Sequence, residues 1–159
     1  MENVSMEIER KYTIKELPSD LESYPCHLIE QAYLNTAPVI RIRKEDDSYY
    51  LTYKGSGLMA REEYNLPLNE ESYYHLLEKA DGRIITKKRY VIPLKQYQPE
   101  DQNNLSIELD VFEGELAPLM IAEIEFPTKE MAEAFVAPDL FLADVTFDPH
   151  YHNSNLSKR

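Results

Sequence analysis

The sequence predicts an α+β fold that is mainly β, with about eight antiparallel strands and two helices. Long polar and apolar side chains alternate along short stretches, which is the period-two pattern of β-strands. Twelve tyrosines and many β-branched residues, both common in strands, occur along the chain. Only four glycines occur in 159 residues, 43% of which are apolar, and no Gly/Ser-rich linker divides the chain. We therefore expect one domain over residues 1–159 with a substantial core.

Each predicted strand is an alternating stretch that ends near a turn-forming residue. Pro67, Pro93 and Pro127 mark three of these ends. In chain order the predicted strands are Met6–Ile14, Leu28–Asn35, Val39–Lys44, Tyr49–Lys54, Met59–Leu66, Arg83–Ile92, Leu105–Phe112 and Leu119–Phe126.

Two helices are predicted between strands, and both begin after a residue that favours the N-cap position. The first spans Glu70–Lys79 after Asn69, and the second spans Lys129–Val136 after Thr128. We expect both helices to pack outside the sheet. The segment Asp139–Arg159 has no clean periodicity and is predicted to be coil or a short helix.

Charge and cysteine content exclude several classes of function. Seventeen basic against twenty-nine acidic residues give a formal charge of −12, which argues against broad nucleic-acid binding. The one cysteine, Cys26, cannot form an internal disulfide, and the opening MENVSMEIERK lacks the apolar core of a signal peptide. No apolar run approaches the roughly 20 residues that span a bilayer. We therefore expect a cytoplasmic monomer or homodimer without a nucleic-acid or membrane partner.

The polar positions of the predicted strands carry mostly Lys, Arg, Glu and Asp. Because residues i and i+2 of a strand face the same side, Glu7, Glu9 and Lys11 stand in one row. Like charges in such rows repel unless opposite charges lie near them. Applied to every strand, the rule places seven cations and seven acids on one face: Lys11, Arg41, Arg43, Lys54, Arg61, Lys87 and Arg89, with Glu7, Glu9, Glu63, Glu108, Asp110, Glu123 and Glu125.

Closing about eight strands into a barrel turns one face inward, and periodicity alone does not choose which. If the apolar rows point inward, the charges lie in solvent, as in a common small barrel. If the charged rows line the bore, helices and loops must cover the apolar rows. Such a bore could hold a polyanion together with a hard divalent cation. Carboxylates suit Mg²⁺ or Mn²⁺, whereas the histidine and cysteine groupings typical of zinc sites are absent from the sequence.

The charged stretches and their neighbours form an ordered series of nine segments: EIERK, QAYL, RIRK, LTYKG, REEY, KKRY, IELDVFEGEL, AEIEFP and DPHYHNSNL. This series resembles the CYTH family, also called the triphosphate tunnel metalloenzymes. The resemblance extends from about Met6 to Leu156. It implies an eight-stranded antiparallel closed barrel whose charged side chains point inward, with the helices outside.

The resemblance also implies divalent-metal-dependent hydrolysis of the terminal phosphate of a triphosphate. The compact chain is most similar to bacterial inorganic triphosphatases, for which the substrate is tripolyphosphate and the products are pyrophosphate and phosphate. The family also contains thiamine triphosphatases, RNA triphosphatases and class IV adenylate cyclases. A cyclase, a thiamine or nucleoside triphosphatase, and a non-catalytic polyphosphate-binding sensor therefore stay open as alternatives.

Carried over by position, the resemblance implies that acids on the first and last strands bind two Mg²⁺ or Mn²⁺ ions. These metal ligands are Glu7, Glu9, Glu123 and Glu125. Three further acids could bind the second metal or orient the cations: Glu63, Glu108 and Asp110. The phosphates would be bound by Lys11, Arg41, Arg43, Lys54, Arg61, Lys87 and Arg89.

Catalytic roles are expected for two acids, two lysines and one tyrosine: Glu7, Glu9, Lys11, Lys87 and Tyr33. The phenol of Tyr33 is expected to face the bore beside Lys87. Asn65 stands where many family members continue the acidic row of the fifth strand, which leaves a ligand or ion pair at this position open. His150 and His152 are expected to be surface residues of a polar tail.

Overall fold

The structure, a computed structural model, describes residues 6–158, and this part of the chain contains nine strands and three α-helices. The strands are β1 (Met6–Ile14), β2 (Cys26–Thr36), β3 (Val39–Glu45), β4 (Ser48–Lys54), β5 (Ala60–Pro67), β6 (Asp81–Pro93), β7 (Ser106–Phe112), β8 (Met120–Glu125) and β9 (Phe141–Asp144). The helices are α1 (Glu70–Leu77), α2 (Lys129–Ala134) and α3 (Asn153–Leu156). Four short 3₁₀ turns lie between them, at Leu21–Ser23, Leu94–Gln96, Gly114–Leu116 and Pro149–Tyr151.

The strands form one antiparallel sheet in the order β5-β4-β3-β2-β6-β7-β8-β1-β9. The sheet closes because the start of β1 also pairs with β5, with Glu7 opposite Arg61. The end of β1 pairs instead with β9, which lies beside the barrel as an extra strand. The predicted eight-stranded antiparallel closed barrel is therefore confirmed, with one strand added.

The charged rows point into the barrel and the apolar rows point outward. Lys11, Lys87 and Asp110 are almost fully buried, although each belongs to a polar row. The outward apolar row of β6 and β7, which includes Ile92 and Leu109, packs in the largest hydrophobic cluster. Burying each such side chain contributes roughly 1.5–3 kcal/mol, so the outer layers stabilise a barrel whose interior is polar.

The helices and loops cover the outward apolar rows. Ala132 of α2 and Phe141 of β9 complete the cluster over β1, β6, β7 and β8. On the other side, Tyr73 of α1 packs against Ala32 and Ile42. The prediction that two helices pack outside the sheet is confirmed.

Both predicted N-caps are also confirmed. The Asn69 side chain accepts a hydrogen bond from the Ser72 amide at 2.7 Å, and Thr128 accepts one from the Met131 amide at 3.1 Å. Such caps contribute about 1 kcal/mol each. Both helices end two residues earlier than predicted, because their last turns give way to extended or turn residues.

The segment after Asp139 contains more structure than its sequence predicts. Strand β9 was missed because only Phe141 of its four residues is buried, so no alternation shows. The short helix α3 fits the expectation of a short helix in this segment. Within residues 6–158, no helix has the length and apolar character needed to cross a membrane.

Candidate active site

The inner face of the barrel encloses a cavity of about 400 Å³. Thirteen of the fifteen predicted site residues line it: Glu7, Glu9, Lys11, Tyr33, Arg41, Arg43, Lys54, Arg61, Glu63, Arg89, Glu108, Glu123 and Glu125. These side chains come from eight strands, β1 to β8, and the outermost two, Glu7 and Glu125, are 118 positions apart in the sequence. Alternation along each strand and closure of the sheet together bring them into one space.

The two remaining predicted residues, Lys87 and Asp110, lie behind the cavity lining. Lys87 Nζ is 2.7 Å from Asp110 Oδ2, and both side chains are inaccessible to solvent. Lys87 Nζ also donates to Asn153 Oδ1 at 3.1 Å. Burial lowers the pKa of Lys87 although Asp110 opposes the shift. The prediction that Lys87 contacts phosphate is therefore not matched by its position, which is under the surface of the cavity.

One side of the cavity consists of buried cations on β1 and β6 that pair with carboxylates on β7 and β8. We call this side the ion-pair wall. Arg89 donates to both oxygens of Asp110, at 2.7 and 2.9 Å, and to Glu123 at 3.1 Å. Lys11 Nζ lies 3.2 Å from Glu123. Burial favours neutral Glu123, but the charges of Lys11 and Arg89 outweigh burial and lower its pKa. The ion-pair wall consists of Lys11, Lys87, Arg89, Asp110 and Glu123.

The other side, which we call the arginine wall, holds its cations with neutral groups. Arg43 donates to Gln31 Oε1 from Nε at 2.9 Å and from Nη2 at 2.6 Å. Arg41 Nη2 donates to Thr52 Oγ1 at 3.1 Å. The closest carboxylate to Arg43 is Glu45 at 3.6 Å, and no carboxylate of the described residues lies within 4 Å of Arg41. The arginine wall consists of Gln31, Arg41, Arg43, Thr52 and Asn65.

Gln31 and Thr52 are site residues to which the sequence analysis gave no function. Their signal was present, since Gln31 shares a row with Tyr33 and Thr52 shares one with Lys54. Because both residues are neutral, nothing favoured a role in the site over an ordinary strand position in which the side chain's hydrogen bonds are satisfied. Their importance follows from the register that places each opposite an arginine, Gln31 across from Arg43 and Thr52 across from Arg41.

Two acids without a short ion pair among the described residues lie where β1 meets β8. Glu9 and Glu125 are directly opposite each other, and Glu9 is 3.7 Å from Lys11. Burial and the nearby charges of Glu123 and Glu7 raise the pKa of Glu9 to about 8. Burial and like charges raise the pKa of Glu125 to about 7. This part of the cavity therefore carries carboxylates whose negative charge the protein does not fully compensate.

The donor chemistry of these acids fits a hard divalent cation. Carboxylate oxygens are preferred ligands of Mg²⁺ and Mn²⁺, and a cation beside Glu9 and Glu125 would offset the like charges that raise the pKa of each. Within residues 6–158, no three acidic, histidine or cysteine side chains are already gathered as a ligand cluster. Glu7 is instead in contact with Lys54, with Oε1 2.8 Å from Nζ. Metal binding by Glu7 would therefore require this lysine contact to loosen.

The C-terminal segment returns to the barrel and contributes Asn153 and Ser154 to the cavity lining. It docks where the Arg83 amide donates to Ser157 O at 2.6 Å. Gly82 makes this approach possible, because a Cβ there would lie 2.1 Å from Ser157 O. Its aperiodic sequence gave no signal of this return apart from its place in the resemblance.

Two expectations about individual side chains are corrected. Tyr33 does line the bore, but its cross-strand neighbour is Arg41, while Lys87 is paired with Ile29. The pairing of β2 with β6 is irregular between Gln31 and Tyr33, and Tyr33 is opposite Asp81 on β6. His150 is at the surface as expected, whereas His152 is buried, with Nε2 3.4 Å from Thr146 O.

Comparison with known proteins gives three consistent findings. The sequence pattern of the CYTH domain matches residues 5–143. An inorganic triphosphatase of Nitrosomonas europaea is 35% identical over 155 residues, which cover 95% of this chain and 96% of the relative. An inorganic triphosphatase of Acetivibrio thermocellus is 38% identical over 124 residues, covering 75% of this chain and 71% of the relative.

A solved structure agrees with these sequence relatives. The crystal structure of an inorganic triphosphatase superposes with a TM-score of 0.68 at 30% sequence identity. The match covers 96% of this chain and 95% of the other.

Proposed function

The chain belongs to the CYTH family, and from this membership we propose that it is a triphosphatase that hydrolyses inorganic tripolyphosphate to pyrophosphate and phosphate with the help of Mg²⁺ or Mn²⁺. Triphosphatase activity is supported by the two relatives and the solved structure, which are inorganic triphosphatases. The observation that carries the proposal is that one cavity holds both Arg41, which has no carboxylate within 4 Å among the described residues, and Glu9 and Glu125, whose negative charges are only partly compensated.

The charge of the substrate fits this division of the cavity. A linear triphosphate carries about −4 to −5, if each end group contributes −1.5 to −2 and the middle group −1. Arg41 and Arg43 can form paired hydrogen bonds with phosphate oxygens because guanidinium groups are planar forks. Lys54 on β4 and Arg61 on β5 add further positive charges along the same cavity.

The acids at the β1–β8 junction would hold the divalent cation, with Glu9 and Glu125 nearest the centre and Glu7 and Glu123 beside them. Such a cation supplies Lewis-acid polarisation of phosphate oxygens and neutralises charge that develops during transfer. Glu63 and Glu108 lie at the edge of the same space and are candidates for a second ion.

The chain's own groups then orient and balance the reaction. Arg41 and Arg43 hold the phosphate chain so that the terminal phosphorus faces the acids, and a carboxylate of the Glu7–Glu9 row accepts a proton from the attacking water. One phosphorus–oxygen bond forms to water as the bond to the bridging oxygen breaks. Cations of the cavity stabilise the negative charge left on pyrophosphate.

A product assay tests the proposal. The purified protein is incubated with tripolyphosphate, ATP or thiamine triphosphate, each with Mg²⁺, with Mn²⁺ or with EDTA, and the products are identified by ion chromatography. We expect phosphate and pyrophosphate from tripolyphosphate in the presence of metal, and no turnover in EDTA. Cyclic AMP from ATP would instead show a cyclase, preferential cleavage of thiamine triphosphate would show a different substrate, and binding without products would show a sensor.

A further inference from the structure

Arg41 is a buried cation that has no counter-ion within 4 Å among residues 6–158. The residue is only 6% exposed, and its side chain lines the cavity. It contacts no carboxylate of the described residues. Its Nε is buried without any hydrogen-bond partner. A buried charge without a partner is costly, so the anion that compensates Arg41 has to come from the cavity.

A chain of two neutral side chains fixes the direction of this guanidinium. Thr52 Oγ1 donates its hydrogen to Asn65 Oδ1 at 2.5 Å and accepts a hydrogen bond from Arg41 Nη2 at 3.1 Å. A hydroxyl has one hydrogen, so donation to Asn65 directs the Thr52 lone pairs towards Arg41. Anchored through Nη2 to a neutral hydroxyl, Arg41 lines the cavity with a charge that no carboxylate within 4 Å among the described residues offsets.

The residue type at position 65 sets the charge at this end of the cavity. Asn65 follows Arg61 and Glu63 in the inward row of β5, where another acid would put a carboxylate next to Thr52. A carboxylate would accept the Thr52 hydroxyl equally well, but it would also neutralise Arg41 and repel a phosphate. The amide provides the hydrogen-bond acceptor without the charge.

We propose that Thr52 and Asn65 are positioning residues that orient Arg41 towards the phosphate chain and keep its charge available to the substrate. The proposal rests on the proposed function, since it concerns how the same cavity binds tripolyphosphate. β3, which carries Arg41, lies half way round the eight-stranded ring from β8, whereas β4 is separated from β1 by β5. Thr52 and Asn65 act on phosphate binding through Arg41, because their hydrogen bonds join them to each other and to this guanidinium.

Four variants test the pair. Thr52→Val removes the hydroxyl at nearly constant volume, Thr52→Ser retains it, and Asn65→Asp adds only a charge. Thr86→Val is the matched control, because Thr86 alternates with the inward Lys87 on β6 and is not part of the cavity lining. Tripolyphosphate affinity is measured by calorimetry in EDTA, KM and kcat are measured with Mg²⁺, and folding is checked by thermal melting.

We expect Thr52→Val and Asn65→Asp each to weaken metal-free tripolyphosphate binding about tenfold and to raise KM about tenfold. The kcat of both variants should stay within about twofold of the wild type, because the lost interaction stabilises the ground state and the transition state equally. Thr52→Ser and Thr86→Val should stay within about twofold of the wild type. Unchanged affinity in Thr52→Val, or failure of Thr52→Ser to restore it, would overturn the positioning role. Hydrolysis by the wild type decides the proposed function separately, and a wild type that neither binds nor hydrolyses tripolyphosphate would overturn both.

Discussion

Arg41 and Arg89 are both buried arginines that line one cavity, yet the two walls to which they belong treat their charges in opposite ways. Arg89 of the ion-pair wall contacts Asp110 and Glu123, and these contacts raise its pKa although burial opposes this. Within residues 6–158 the side chain of Arg41 of the arginine wall hydrogen-bonds to Thr52 and to no carboxylate, and burial together with Arg43 lowers its pKa. Burial of a cation therefore does not reveal its role, whereas the charge of its partners does.

The difference indicates which parts of the cavity form the scaffold and which are available to a ligand. Charges within the ion-pair wall satisfy each other, and removing one partner leaves another buried and unpaired. Charges of the arginine wall and of the β1–β8 junction have opposite signs and lie on different strands. A phosphate chain and a cation bound together could compensate both.

The largest expected effect concerns Glu7 and Glu9, two acids near the β1–β8 junction that belong to neither wall. Glu7→Gln and Glu9→Gln keep the size of each side chain but remove the charge that would bind metal. We expect each variant to reduce metal-dependent tripolyphosphate turnover by about a hundredfold or more while the thermal midpoint shows a folded protein. The measurement is phosphate release at saturating Mg²⁺.

Glu62→Gln is the matched control for these variants, because Glu62 lies between inward Arg61 and Glu63 on β5 and is exposed. It should retain wild-type turnover. If Glu7→Gln and Glu9→Gln both retained most metal-dependent activity, the assignment of these acids would be wrong.

The second prediction tests the ion-pair wall through stability. Arg89→Met removes the cation between Asp110 and Glu123 and leaves both carboxylates buried. We expect the free energy of unfolding to fall by about 3 kcal/mol in the absence of metal and phosphate, measured by urea denaturation. A loss below about 1 kcal/mol would show that Arg89 does not hold this wall together.

The third prediction applies the same substitution to the arginine wall. Arg41→Met removes a buried cation that has no carboxylate partner, so no buried anion is left behind. We expect the free energy of unfolding to change by less than about 1 kcal/mol, or to rise, under the same conditions. Equal destabilisation by Arg41→Met and Arg89→Met would remove the distinction between the walls.

Much of this architecture could be predicted because side chains alternate between the two faces of a strand, so the sequence shows which residues share a face. The alternation around Ile40, Arg41, Ile42 and Arg43 identified a strand and its polar row. Periodicity could not decide that Arg41 points inward, since an ordinary barrel would carry the same pattern with the faces exchanged. The ordered series of segments resolved this choice.

What the sequence did not predict depends on register and on contacts between distant segments. An irregularity in the β2–β6 pairing places Tyr33 opposite Asp81 rather than near Lys87, and no residue type in the strand predicts that shift. The hydrogen bond from Lys87 to Asn153 joins positions 66 residues apart, and neither side chain belongs to a local pattern that requires the other. Pairing of the cations with particular acids likewise became visible only with the structure.

The last prediction is a pH dependence that separates Glu9 from the well-paired acids of the ion-pair wall. The pKa of Glu9 is raised from 4.5 to about 8 by burial and by Glu123 and Glu7, so between these values the folded protein holds a proton that the unfolded chain releases. Stability therefore falls as pH rises through this window, with a limiting slope of about 1.4 kcal/mol per pH unit for one proton.

Other groups also titrate in this range, so the measurement is a difference between variants in EDTA from pH 6 to pH 8. Burial lowers the pKa of Lys87 to about 7, and that group stabilises the protein increasingly as pH rises. Urea denaturation should show that wild type loses stability relative to Glu9→Gln across the range, whereas Glu62→Gln follows the wild type. Parallel curves for wild type and Glu9→Gln would mean that Glu9 is already ionised in the folded protein, and the junction would then resemble the ion-pair wall rather than contrast with it.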